Sequence, residues 1–189
     1  MASTTLLFPN SLRPALRRWP AIFHIWLPVA VFAAIVAMAS TAAFGSNHTS
    51  APLHRLLQAL FGHAIDPNWG WIHHCIRKTG HLLGYGVLSF LFYRGFRLSL
   101  QNRRAYGWRP WTCHALAIAA TFLAGSADEL HQRFVPNRTG CFSDVLLDTA
   151  GAVALQLAVW LALRLAARAT GDRVPQAQAS RAERIQLVA

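Results

Sequence analysis

Charge is scarce in this chain: 13% of its 189 residues are charged, seven are acidic, and Lys78 is the one lysine among eighteen basic residues. So low a charged fraction, beside 54% hydrophobic residues and a positive mean hydropathy, argues against a soluble globular domain. Cysteine is sparse too. Cys75, Cys113 and Cys141 show no CxxC spacing, which removes a thioredoxin-like motif and a thiolate zinc site, and their odd number excludes a fully paired framework. No GxSxG elbow and no HExxH or HxxxH pair occurs. The formal charge of +11 would suit a nucleic-acid partner, but the arginines fall in blocks between apolar runs instead of along one stripe. No nucleic acid is expected.

What the chain does have is long apolar segments. A bilayer core of about 30 Å takes roughly 20 residues of helix, and four segments meet or approach that length: Ala21 to Phe44, Lys78 to Phe96, Thr112 to Leu130 and Asp144 to Ala167. Arg13, Arg17 and Arg18 precede the first, as in a signal peptide, but the stretch is long and no processing site dominates, so it reads as a span. The expected fold is all-α, an integral membrane bundle of four transmembrane helices. In the first outer loop Leu53, Leu56, Leu57, Leu60 and Phe61 share a helical face, followed by Trp69 and Trp71. That pattern predicts an amphipathic helix, either lying in the membrane interface or packed on the bundle as a lid.

Orientation follows from the bases. Arg13, Arg17, Arg18, Arg94, Arg97, Arg103, Arg104, Arg109, Arg164, Arg168, Arg173, Arg181 and Arg184 fall on one side; Arg55, Arg77, Lys78, Arg133 and Arg138 fall on the other. Both termini are therefore expected in the cytoplasm. Residues 1–20 form an N-terminal segment, 21–167 the membrane domain, and 168–189 a polar tail expected to be mobile.

Between two apolar runs stands "SADELHQRFVPNRTGCFSDVLLDTAG", which holds four of the seven acids. An ionisable side chain at membrane depth costs about 2.5–3.5 kcal/mol on insertion scales. Asp144 alone suits a helix N-terminus, but Asp148 lies a turn deeper, and Asp128 and Glu129 end their helix, where the dipole opposes them. Lys78, His81 and Tyr85 share one face of the second span; Asp128 and Gln132 are four apart, as are Asp144 and Asp148. The expected topology puts all of these at one membrane level. There Lys78, Arg138 and Arg133 would neutralise the acids, while His81, Tyr85 and Gln132 supply hydrogen bonds.

Three roles stay open for this cluster: a site for a polar or sugar-bearing lipid, a membrane enzyme, or a salt-bridge knot that locks the helices. Paired carboxylates with a histidine suit acid–base work, but no nucleophile stands out, and Ser143 has no base assigned. A metal site from His73, His74, His81, Asp128 and His131 has no supporting spacing, so neither metal nor cofactor is expected. The scattered His24, His48, His54, His63 and His114 read as surface or interface residues. Cys75 and Cys141, each three residues before a cluster member, are the one candidate disulfide, with two unpaired thiols the preferred reading.

The motifs "RKTGHLLGYGVLSFL" and "DELHQRFVPNRTGCFSDVLLDTAG" resemble, in order and spacing, the VanZ-like family of small bacterial membrane proteins. Lys78, His81 and Tyr85 match its lysine, histidine and tyrosine. Asp128, Glu129 and Gln132 match its acidic pair and glutamine, Arg138 its loop arginine, Asp144 the aspartate opening the last helix, and Gly151 the glycine after it. Asp148 departs from the pattern, standing where many members carry asparagine. The resemblance covers roughly Lys78 to Ala167 and implies a multi-pass protein of the bacterial cytoplasmic (inner) membrane. It also implies a link to low-level teicoplanin resistance, while the polar site itself leads us to expect partners among membrane lipids, lipid-linked envelope precursors or lipoglycopeptides. The oligomeric state is not read from it.

Overall fold

A computed structural model describes residues 13–100, 110–136, 138 and 140–171, and these contain helices and turns with no strand. The helices are α1 (Arg13–Ala39), α2 (Ser46–Phe61), α3 (Trp69–Leu100), α4 (Pro110–Gln132) and α5 (Phe142–Gly171). Most of the expected tail, the N-terminal dozen residues, and Arg103, Arg104, Arg109, Arg173, Arg181 and Arg184 lie outside the described residues.

The first helix stops short of Phe44. The Ser40 N–H is shared between the Val36 and Ala37 carbonyls at 3.1 and 3.2 Å, Thr41 Oγ1 donates back to the Met38 carbonyl at 2.7 Å, and Ala42–Phe44 follow as a 3-10 turn. The expected amphipathic helix is α2, closed by Gly62, whose φ of 70° lies in the left-handed region that glycine enters without steric cost. Trp69 and Trp71, expected in a loop, instead open α3. Trp69 Nε1 donates to Ser50 Oγ at 2.9 Å, and its ring packs between His54 and His73, with centroids 4.6 and 5.5 Å away. A stacked belt therefore ties α2 to α3. Leu53 and Leu57 turn inward while Leu56, Leu60, Phe61 and Trp71 stay exposed, so α2 is both a wall of the molecule and an apolar outer surface.

The hub is α3, which packs against α1, α4 and α5. It meets α5 almost backbone to backbone: a Cβ on Gly151 would collide with the Leu82 carbonyl, and one on Gly86 would lie 3.2 Å from the Gly151 oxygen. Small residues at a crossing allow close helix approach where water gives no hydrophobic drive. Burial is partly inverted relative to a soluble core. Ser89, Thr121, Gln156 and Asp148 are interior, whereas Phe23, Val31, Ile35, Leu123 and Leu161 face outward.

Two helices, through Ile22–Ala39 of α1 and Phe142–Ala169 of α5, are long and apolar enough to cross a membrane. The expectation of four is met only to that extent. α3 has ample length but carries Lys78, His81, Arg94 and Arg97, and α4 carries His114, Asp128 and Glu129. The residues that lower their hydropathy include those that build the site.

Candidate functional site

The last turn of α1, the N-terminal half of α3, the C-terminal end of α4 and the first two turns of α5 meet at one end of the bundle. All nine expected cluster residues are there, but they divide into separate arrangements.

Lys78 Nζ forms an ion pair with Asp144 Oδ1, joining α3 to α5. Asp128 Oδ2 accepts from Ser40 Oγ at 2.8 Å and from Gln132 Nε2 at 3.0 Å, joining α4 to α1. Ser40 was not foreseen. It lies in a run of small residues that looks like the end of a plain apolar span, and only helix packing aims its hydroxyl at an acid 88 residues away.

Arg138 makes no direct ion pair with an acid among the described residues, although Asp128 and Glu129 are near enough to favour its charge. Its guanidinium donates to the carbonyls of Ala39 and Thr41 at 2.7 and 2.8 Å, at and just beyond the end of α1, where the Thr41 oxygen also accepts the Phe44 N–H at 3.2 Å. Burial holds Arg138 below the ordinary guanidinium range and Arg77 acts in the same direction, yet an arginine so placed stays charged. Arg133 is exposed and joins no ion pair among the described residues. The acids thus keep fewer cations than the sequence promised.

His81 Nδ1 lies 3.2 Å from Asp148 Oδ1. Asp148 is 0% exposed and its Oδ2 has no hydrogen-bond partner. It fits because position 125 is glycine: a Cβ there would lie 3.2 Å from that same oxygen. Glu129, 3% exposed, accepts the Cys141 N–H through Oε2 at 2.8 Å, and its Oε1 is likewise unpartnered. The Tyr85 hydroxyl is a third buried polar group without a partner.

Beside the cluster a cavity of about 350 Å³ opens between α1, α2 and α3. Val36, Phe44, Leu53 and Ile76 give it an apolar wall, and Arg77, His81, Asp128 and Arg138 a polar one. A second cavity, about 310 Å³, has Ala33, Leu88 and Ala124 in its wall; it shares Val36, Tyr85 and Asp128 with the first.

The geometry also places residues outside the cluster. Cys75 and Cys141 are both free thiols, the preferred of the two readings, and Cys141 Sγ accepts from the Ser143 hydroxyl at 3.1 Å. His114, expected at the surface or an interface, is half-buried between α4 and α5. Its Nδ1 meets Gln156 Oε1 at 2.7 Å, while Gln156 Nε2 donates to Ser89 Oγ and the Ser89 carbonyl at 2.9 and 3.0 Å. His54 and His63 both contact Asp66, at 2.8 and 2.9 Å, and the His63 bond above all holds Asp66 below the ordinary carboxylate range. Asp66 had drawn no attention in the sequence, where it is a lone acid in a turn.

A family model described as VanZ/LLP1 matches residues 23–163, a stretch that includes α2, α3, α4 and every residue of the cluster. No curated protein and no solved structure matches the chain.

Proposed function

Since this chain belongs to the VanZ/LLP1 family, we propose that its cavity binds the anionic head group of a membrane lipid or lipid-linked envelope component. Membership and the two apolar helices support a membrane protein; in our reading all four long helices cross the bacterial inner membrane, both termini are cytoplasmic, and the cavity lies toward the outer leaflet. Bound there, the protein would alter the exposure of a lipid-tailed glycopeptide such as teicoplanin.

One observation carries the reading: Arg77 and Arg138 line a single cavity beside an apolar wall, and neither forms an ion pair with an acid among the described residues. Two like charges held together repel, and a phosphate between them relieves that repulsion with charge-assisted, bidentate hydrogen bonds. The volume is in the range of small-ligand sites and suits a head group, with the chains leaving along Val36, Phe44, Leu53 and Ile76.

The test is mass spectrometry of lipids that copurify with wild type and with Arg77→Gln, each normalised to bulk membrane. Enrichment of an anionic class at least threefold in wild type, lost in the variant, is expected. Equal profiles would discard the head-group site and leave the cluster as a helix lock; turnover of a labelled lipid would make the protein an enzyme.

A further inference from the structure

No lysine or arginine at this end of the bundle pairs with Glu129 or Asp148 among the described residues. Lys78 is held by Asp144 and Arg138 by the carbonyls of Ala39 and Thr41. Glu129 and Asp148, both buried, are left with one carboxylate oxygen each that no donor reaches. A buried carboxylate is retained when it is paired, when it is protonated, or when it coordinates a metal.

The geometry points to a divalent transition-metal site formed by His81 of α3, Glu129 of α4 and Asp148 of α5, of the zinc or manganese class. One ligand atom from each lies within 4.8 Å of the other two. Even at that upper limit, three atoms reach a common ion at about 2.1 Å if each moves inward by about 0.7 Å, which is within rotamer adjustment. The donor set is one imidazole nitrogen and two carboxylates, which suits Zn²⁺ or Mn²⁺ better than the all-oxygen shells of Ca²⁺ and Mg²⁺.

Charge supports the same assignment. A dication with two carboxylates and a neutral imidazole sums to zero, whereas the ligands alone would hold two negative charges away from water. Support from outside the ligands is also present. The Cys141 N–H fixes Glu129 through its second oxygen, and the missing side chain at Gly125 leaves room for Asp148. His81 also lines the 350 Å³ cavity, which gives an ion its way in. The inference stands apart from the lipid reading, because it draws on buried oxygens that do not line that cavity.

The experiment uses the full chain in detergent, stripped with chelator and dialysed against Zn²⁺ or Mn²⁺, with bound metal counted by elemental mass spectrometry. About one tightly held ion per chain is expected, with affinity reduced at least tenfold in Glu129→Gln and in Asp148→Asn and unchanged in Asp66→Asn, which tests the exposed His54–His63–Asp66 group as a rival. A second measurement needs no variant: Co²⁺ added to stripped wild type should give the visible d–d bands of a nitrogen- and oxygen-ligated site of low coordination number. No bound ion, binding that survives both substitutions, or Co²⁺ with only the weak bands of the hydrated ion would overturn the site. Copurified lipid measured on the same stripped protein separates this result from the head-group reading.

Discussion

Two polar groupings each bring together residues of α3, α4 and α5, and they differ in how completely they are satisfied. In the middle, Gln156 joins His114 of α4 to Ser89 of α3 through three hydrogen bonds, and none of the three residues has a buried polar atom without a partner. At the end where α1 stops, His81, Glu129 and Asp148 converge from the same three helices, yet Glu129 and Asp148 each leave an oxygen bare, and the Tyr85 hydroxyl and Arg138 Nε nearby are bare too. A satisfied network stabilises the fold, since removing any member strands its partners. An unsatisfied one costs stability, and its retention is the mark of a site built for something else.

The comparison can be broken most sharply at its satisfied half. Gln156→Ala strands His114 and the Ser89 hydroxyl inside the bundle and leaves a cavity, so we expect a loss of about 3 kcal/mol, read as a lower melting temperature in detergent, with metal and lipid binding retained. A wild-type melting temperature would place the two networks in the same class. The Lys78–Asp144 pair is the next in size. Lys78→Met leaves Asp144 unpaired and should cost about 2 kcal/mol, less than a fully buried pair because Lys78 is a third exposed, and the double variant Lys78→Met with Asp144→Leu should recover most of it. Failure of the double variant to recover would mean that the pair does more than hold α3 to α5.

The smallest effect is the most diagnostic. In the presence of chelator, Asp148→Asn replaces a buried carboxylate by a neutral amide, so stability should stay level or rise by up to about 1 kcal/mol while metal binding is lost. A large drop would show that Asp148 is a structural partner of His81 and would merge the two networks.

The positions of the long helices were legible because apolar runs of membrane length leave few alternatives, and the one-face spacings of Lys78 with His81 and of Asp144 with Asp148 carried the cluster. Helix ends were less legible. α3 begins nine residues before the expected Lys78, because Trp69 and Trp71 read equally well as loop anchors until Ser50, His54 and His73 are seen to pack around the first of them. The partners of Ser40 and His114 were not legible for a related reason: a single polar residue in an apolar run carries no period, and its partner lies far along the chain.

The sequence by itself determined that the chain is helical, which segments are apolar, which acids sit at helix ends and which family they mark. Those properties depend on residue type and local spacing, which the chain carries whether folded or not. Pairing was decided only by the tertiary structure: that Lys78 takes Asp144 while Arg138 caps α1, and that three helices bring an imidazole and two half-partnered carboxylates within 4.8 Å of one another. The reason is physical, because charge neutrality in a membrane can be met by many pairings of the same residues, and the choice among them is made by packing, including the close approach of α3 and α5 at Gly151 and the space left at Gly125.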